Sequence, residues 1–337
     1  MTTTLRQPAE RRARMSAKQS WALAVLVLPV LLISIDMTVL GFAVPFLSED
    51  LAPAGSQLLW IVDVYGFVLA GLLVTMGSLG DRFGRRMLLI VGSAAFAAAS
   101  VLAAYAPSPE ALIAARALLG VAGATLMPTT LALMRNLFTD DRQRRFAIAI
   151  WACGFSAGSA AGPIVGGWLL EHFWWGSVFL MAAPVSLAVV LAAPFLLPES
   201  KNPHPGSLDL ASVGLSFLAL FPFVYGVKTI AEHGLTWAAV AAIGAGAAAG
   251  VLFVRRQNRL EHPLIDVALF RLRRFSASLA TNFTIVFALI SALFLLTQYL
   301  QLVLGYSPME AGLLLLPGMA VSVVTGLIAV RLSERIG

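Results

Sequence analysis

Four long stretches of the 337-residue chain contain no Asp, Glu, Lys or Arg: those between Met87 and Pro109, Phe146 and Leu170, His172 and Pro198, and Phe275 and Met309. About 20 apolar residues, rising about 1.5 Å each, span the roughly 30 Å hydrocarbon core of a bilayer, so each stretch has the length of a membrane helix. A soluble domain carries about 25% charged residues. This chain has 12%, with 59% apolar residues and a mean hydropathy of +0.87. The expected fold is therefore an all-α polytopic membrane protein.

Ten spans are expected, at 21–45, 57–79, 88–106, 110–134, 146–170, 176–198, 208–228, 236–254, 275–298 and 309–330. With the N-terminus inside, the basic residues gather in the tail up to Lys18, at Arg82–Arg86, Arg135–Arg145, Lys201 and Arg255–Arg274, and at Arg331 and Arg335. Of the 23 basic residues only Arg116, within span 4, and Lys228, at the far side, stand outside this pattern. Alternate loops rich in Lys and Arg follow the positive-inside rule. The net charge of +6 thus reports topology and contact with anionic lipid, not nucleic-acid binding. A basic start followed by the apolar run from Trp21 to Ile35 resembles a signal peptide, but the run continues to Leu47 without a small-residue cleavage pattern and reads as a retained first span. Cys153 is single, and His172, His204, His233 and His262 lie in separate loops, so neither a disulfide framework nor a metal site is expected.

Composition changes divide the chain. A basic cytoplasmic tail (1–20) precedes a six-helix bundle (21–198), and a Pro-rich linker (199–207) leads to a helix pair (208–254) rich in Ala and Gly. A basic connection (255–274) comes next, in which Leu264, Ile265, Val267, Leu269 and Phe270 are spaced for a short surface-lying amphipathic element. Two further spans (275–337) begin a second bundle. A weak internal repeat supports that division: Asp81-Arg82-Phe83-Gly84 after span 2 is matched by Glu334-Arg335-Ile336-Gly337 after span 10. Parallel repeats of six-span bundles are a transporter architecture.

Three ionisable residues lie well inside the spans, away from their ends: Asp36, Asp63 and Arg116. A charge at the bilayer centre costs at least about 2.5–3.5 kcal/mol, so each is expected to face a protein-lined interior and a partner. Counted from the cytoplasmic span ends, Asp36 stands roughly 22 Å deep and Asp63 and Arg116 roughly 28 Å. Asp63 and Arg116 are therefore the expected ion pair, and Asp36 the free carboxylate. A carboxylate that takes either a proton or a cation, but not both, is the minimal device for antiport. In span 5, Gly154, Gly158, Gly162 and Gly166 recur every fourth residue, with Pro163 and Gly167 beside them. Such a stripe lets another helix approach closely, and the proline supplies a pliable kink. The loop Gly77, Gly80, Asp81, Arg82, Gly84, Arg85, Arg86 permits a tight turn, and its mixed charges suggest a latch between two bundles.

Together these segments resemble the major facilitator superfamily, in particular its fourteen-span drug:proton antiporter branch. Ile35-Asp36-Met37-Thr38-Val39 with Pro45 is similar to the branch's first-span signature, and Gly77 to Arg86 to the superfamily's loop after span 2. Arg116 within Ala115-Arg116-Ala117-Leu118-Leu119-Gly120 resembles the span 4 signature, and Gly158 to Gly167 the antiporter signature of span 5. Leu59 to Tyr65 and Glu261 to Asp266 resemble this subgroup in particular. The resemblance implies export of cationic and amphipathic drugs by a multi-pass protein of the inner membrane, with proton or cation binding at Asp36, Asp63 and Arg116. It implies a proton gradient as energy source with no cofactor, contact with membrane lipids, a monomer, and no enzymatic activity. It also implies four more spans after Gly337, so one alternative is a non-transporting fragment; a separate alternative is a facilitator or uptake carrier of the same superfamily. Trp60, Tyr65, Trp151, Phe155 and Trp168 could offer ring faces to a cationic drug. Trp174, Trp175 and Trp237 fall where interfacial belts are expected.

Overall fold

The computed structural model describes residues 15–201, 209–261, 263–318, 321 and 325. Among these, all regular structure is helical. The order is α1 (Ala17–Leu51), α2 (Gly55–Phe83), α3 (Arg85–Ala104), α4 (Pro109–Leu137), α5 (Asp141–His172), α6 (Ser177–Leu180), α7 (Ala182–Leu196), α8 (Leu210–His233), α9 (Trp237–Gln257) and α10 (Arg273–Gln298). A 3-10 turn, Val267–Arg271, precedes α10, and a π turn, Tyr299–Val303, extends it. Residues 308–318 are also helical. Among the described residues nine helices are long and apolar enough to cross a membrane, counting α6 and α7 as one span and α10 to Val303. The expected tenth, 309–330, is helical to 318, and most of its remainder lies outside the described residues.

The helices outrun the apolar spans because capping residues, not hydropathy, set their starts. Ser16 and Gln19 form a reciprocal capping box that starts α1 at Ala17. Residues 17–20 of the expected tail are thus helical. Ser108 caps α4 with Pro109 in its first position, where the missing N–H is harmless. Asp140 caps α5, so the charged turn from Asp141 to Arg145 is helical where a loop is expected from its charge.

α1 is the axis of the six-helix bundle. It packs along α5 and α7 and against α4, while α2 lies along α4, and α3 on α4 and α7. α8 and α9 form an antiparallel pair whose backbones close at small residues: a Cβ on Gly246 would stand 2.8 Å from the Ala219 carbonyl oxygen. The pair meets the bundle through α2, and α10 reaches α1, where Gln298 Nε2 donates to the Gly41 carbonyl at 2.8 Å. At the end where α8 begins, Asp209 caps that helix and accepts from Arg256 Nε (2.9 Å) and Nη2 (2.8 Å) of α9. Gln257 then accepts from the Leu264 amide at 2.7 Å, fixing the chain that leaves α9. The expected amphipathic element is only the 3-10 turn, with Leu269 and Phe270 exposed.

Candidate functional site

The buried face of α4 reads Leu112, Ala115, Arg116, Leu119, Gly120 and Gly123, spacings of three and four that define one side of a helix. Gly120 is small because α2 passes over it; a Cβ there would lie 2.7 Å from the Tyr65 carbonyl oxygen. That approach brings the Tyr65 ring 4.7 Å from the Arg116 guanidinium carbon, with the Phe179 ring at 5.7 Å. Arg116 is 1% exposed. Its Nη1 donates to Asp36 Oδ2 at 2.7 Å, its Nε to the Ile61 carbonyl at 3.1 Å and its Nη2 to the Val62 carbonyl at 3.5 Å. A buried cation is tolerable only when paired and hydrogen-bonded in this manner.

This corrects two expectations. Arg116 pairs with Asp36, not Asp63, and Asp36 is not a free carboxylate. Helix α1 starts four residues before the expected span, at Ala17. Asp36 therefore stands roughly 28 Å along its helix, level with the other two charges. Depth then fails to choose the partner, and helix face decides. Ile61, Val64, Tyr65 and Val68 form the buried side of α2, and Asp63 lies off that side. Asp63 instead pairs through Oδ2 with Lys228 Nζ of α8 at 2.5 Å. Lys228, expected only at the far side, is the candidate partner that sequence reasoning misses; its signal is that it and Arg116 are the two basic residues outside the clustered loops.

The α5 glycines lie as expected against a neighbouring helix. A Cβ on Gly154 would stand 2.6 Å from Val27, on Gly158 2.0 Å from Ser34 Oγ, on Gly162 2.0 Å from Thr38 Oγ1 and on Gly166 2.4 Å from Val39, all residues of α1. Pro163 and Gly167 face elsewhere. A Cβ on Gly167 would meet the Met309 backbone at 2.7 Å, and one on Gly312 would meet the Pro163 carbonyl oxygen at 2.7 Å. Thus α5 holds α1 on one side and the 308–318 helix on the other, at the seam between the six-helix bundle and the C-terminal helices.

At the basic end, Gly84 alone joins α2 to α3, with φ +119°, a value that side-chain-bearing residues rarely adopt. Asp81 accepts from Arg85 Nε at 2.8 Å and pairs with its Nη2 at 2.6 Å. The open N-terminus of α3 is closed by Glu199, which accepts from the Arg86 amide (3.0 Å) and the Met87 amide (3.2 Å). Arg86 Nη1 donates to the Leu197 carbonyl at 3.1 Å, and Asn136 of α4 donates to Ser200 Oγ. Arg82 is exposed. The latch expected between two bundles here ties α2, α3, α4 and the end of α7 within one bundle, because its acidic partner Glu199 comes after the sixth span. The matching segment 333–337 lies outside the described residues.

A buried Asp–Arg pair at the centre of a bundle of membrane-length helices, with a glycine-lined seam and a charged hub at one end, defines a polytopic membrane protein of transporter architecture. The chain belongs to the Major Facilitator Superfamily, which it matches over residues 26–337. It is 57% identical over 318 residues to the multidrug efflux pump LfrA of Mycolicibacterium smegmatis, an alignment covering 94% of this chain and 63% of that protein. It is 38% identical to the methyl viologen resistance protein SmvA of Salmonella typhimurium (95% and 65% covered). It is 36% identical to the tetracenomycin C resistance and export protein of Streptomyces glaucescens (86% and 54%). The chain therefore spans less than two thirds of the length of these relatives. In fold it resembles the crystal structure of a peptide transporter, POT, in complex with sulfate (TM-score 0.64, 17% identity, 96% of this chain and 71% of that one). A POT family transporter in complex with 5-aminolevulinic acid is also similar (TM-score 0.52, 13% identity, 72% and 53%).

Proposed function

We propose that the protein exports cationic and amphipathic compounds in exchange for protons, by alternating access. The observation that carries this reading is the Asp36–Arg116 pair, buried where α1, α2 and α4 meet. Protonating Asp36 removes, among the described residues, the one carboxylate bonded to a guanidinium that is 1% exposed. Breaking a buried pair from one side costs about 3–5 kcal/mol. One proton moving through 100 mV supplies about 2.3 kcal/mol, so a membrane potential with a modest pH gradient is of the right size to work this contact. The names of the relatives, a multidrug efflux pump and a methyl viologen resistance protein, support an organic cation as cargo. In this reading the basic hub at Gly84 is cytoplasmic, the N-terminus is inside, and the protein acts as a monomer in the inner membrane.

Proteoliposomes with an imposed pH gradient test it. Ethidium should move against the proton flux, and collapsing the gradient should stop it. Movement of ethidium only down its own gradient would favour a facilitator. The same assay on a version extended by further spans separates transport by this chain from transport that needs more of the protein.

A further inference from the structure

The seam between α2 and α8 holds an arrangement that the Asp36–Arg116 pair does not use. From α2, Leu59, Trp60, Asp63 and Phe67 line it; from α8, Phe217, Phe221 and Lys228, spaced at four and seven residues on one helix side. Gly71 lets the two helices meet, since a Cβ there would stand 3.0 Å from the Phe217 ring. Lys228 Nζ bonds Asp63 Oδ2 at 2.5 Å and the Leu59 carbonyl at 2.9 Å, and lies 5.2 Å from the centre of the Trp60 ring and 5.7 Å from that of Phe67. Phe221 stacks on Trp60 at 6.1 Å and 11° and meets Phe67 edge-on at 6.3 Å. A carboxylate, a carbonyl and aromatic faces around one ammonium group is the chemistry that recognises organic cations.

Two contrasts with Arg116 bear on what this ammonium does. The Arg116 and Asp36 side chains are 2% and 8% exposed, whereas those of Lys228 and Asp63 are 17% and 37% exposed, so the second pair is open to an incoming ligand. Lysine is also a point charge on a flexible stem, and Lys228 lies five residues before the end of α8 at His233. It can withdraw toward the membrane surface and keep its charge hydrated. Exchange of Lys228 for another cation leaves Asp63 neutralised throughout.

We propose that Asp63, the Leu59 carbonyl and the rings of Trp60 and Phe67 form a subsite for lipophilic organic cations, which Lys228 occupies as a tethered competitor and whose affinity it therefore sets. The proposal rests on the export reading for its cargo class, but binding tests it separately from transport. Equilibrium binding of labelled tetraphenylphosphonium is measured on the full chain in detergent micelles, with gel filtration and thermal unfolding to check each variant. Lys228→Gln should tighten binding about tenfold. Adding Asp63→Asn should cancel the gain, and adding Phe67→Leu should reduce it, while Lys228→Arg should stay near wild type. Unchanged or weaker binding by folded Lys228→Gln would overturn the proposal.

A second readout needs no charge-changing variant. The sequence has three lysines, Lys18, Lys201 and Lys228, so ¹³C-dimethylation gives few resonances, and Lys228→Arg identifies the relevant one. Saturating wild-type protein with tetraphenylphosphonium should shift the Lys228 signal and leave the other two in place; a stationary Lys228 signal refutes displacement. A protein that fails to transport yet shows tighter binding in Lys228→Gln would sink the export reading and leave the subsite standing. Proton-driven efflux with no effect of Lys228→Gln on binding would do the reverse.

Discussion

Replacing Asp36 by Asn removes the charge but nearly preserves the shape of a residue that is 7% exposed. The contact between Arg116 Nη1 and Asp36 Oδ2 is 2.7 Å, which sets the charge centres about 4 Å apart. At an effective dielectric of about 20, charges at that separation attract by about 4 kcal/mol. Arg116 keeps its bonds to the Ile61 and Val62 carbonyls, yet is left as an uncompensated buried cation, so Asp36→Asn should destabilise by about 3–5 kcal/mol. Arg116→Met alone should cost less, since the stranded Asp36 can take a proton and become neutral. The double variant Asp36→Asn with Arg116→Met removes both charges and should be more stable than Asp36→Asn alone, costing about 3 kcal/mol less than the sum of the two single changes. Denaturant unfolding of the full chain in micelles, followed by tryptophan fluorescence, gives the four stabilities. A coupling of about 3 kcal/mol is expected. Single effects below about 1 kcal/mol that add within about 0.5 kcal/mol would show that the two side chains do not meet. With expression matched, Asp36→Asn should also abolish proton-driven dye efflux, and wild-type rates would refute its role in coupling.

Other perturbations test the packing and the caps. Gly158→Ala places a methyl 2.0 Å from Ser34 Oγ and 2.7 Å from the Leu31 carbonyl, so it should destabilise by about 1–3 kcal/mol in the same unfolding assay. Gly244→Ala, which faces open space in α9, should be neutral or stabilise by about 0.5–1 kcal/mol. Glu199→Gln weakens the closure of α3 and should speed hydrogen exchange at the Arg86 and Met87 amides; unchanged protection would mean the cap is not formed. Hydrogen bonds from Arg256 hold the Asp209 carboxyl well below the ordinary carboxylate range, despite partial burial. Its folded value lies below its unfolded one, so its contribution is complete above about pH 4 and is lost as acid protonates it in the folded state. The stability gap between wild type and Asp209→Asn should therefore persist at pH 5 and shrink on further acidification; a gap that grows toward acid would refute the clamp.

The sequence is most legible where a physical requirement leaves few residue choices. Charge-free runs mark the helices, and a glycine at every fourth position marks the close contact of α5 with α1. Legibility fails where a choice depends on rotation about a helix axis. Asp63 and Asp36 are level in depth, and only the face of α2 that carries Ile61 and Tyr65 against α4 makes Asp36 the partner of Arg116. Capping chemistry causes the error in depth, since Ser16 and Gln19 start α1 before the apolar run does. Glu199 reads as linker because the bonds it accepts, from amides more than a hundred residues earlier, leave no local pattern. The information about pairing is nonetheless present in the charge distribution: the two cations outside the clustered loops, Arg116 and Lys228, are the partners of the two acids.

The single-residue joint at Gly84 makes α2 a lever. Asp63 lies about 30 Å along that helix from Gly84, and the joint has no spare chain in which to absorb a change of angle. A tilt of about 5° over that arm moves its far end by about 2.6 Å. A displacement of that size is as long as the Asp63–Lys228 contact, at 2.5 Å, and falls on the flexible Lys228 stem, whereas the bonds that Glu199 accepts from the Arg86 and Met87 amides sit beside the pivot and scarcely shift. The charged hub and the Asp63–Lys228 pair are thus the two ends of one arm about 30 Å long, joined by a single helix.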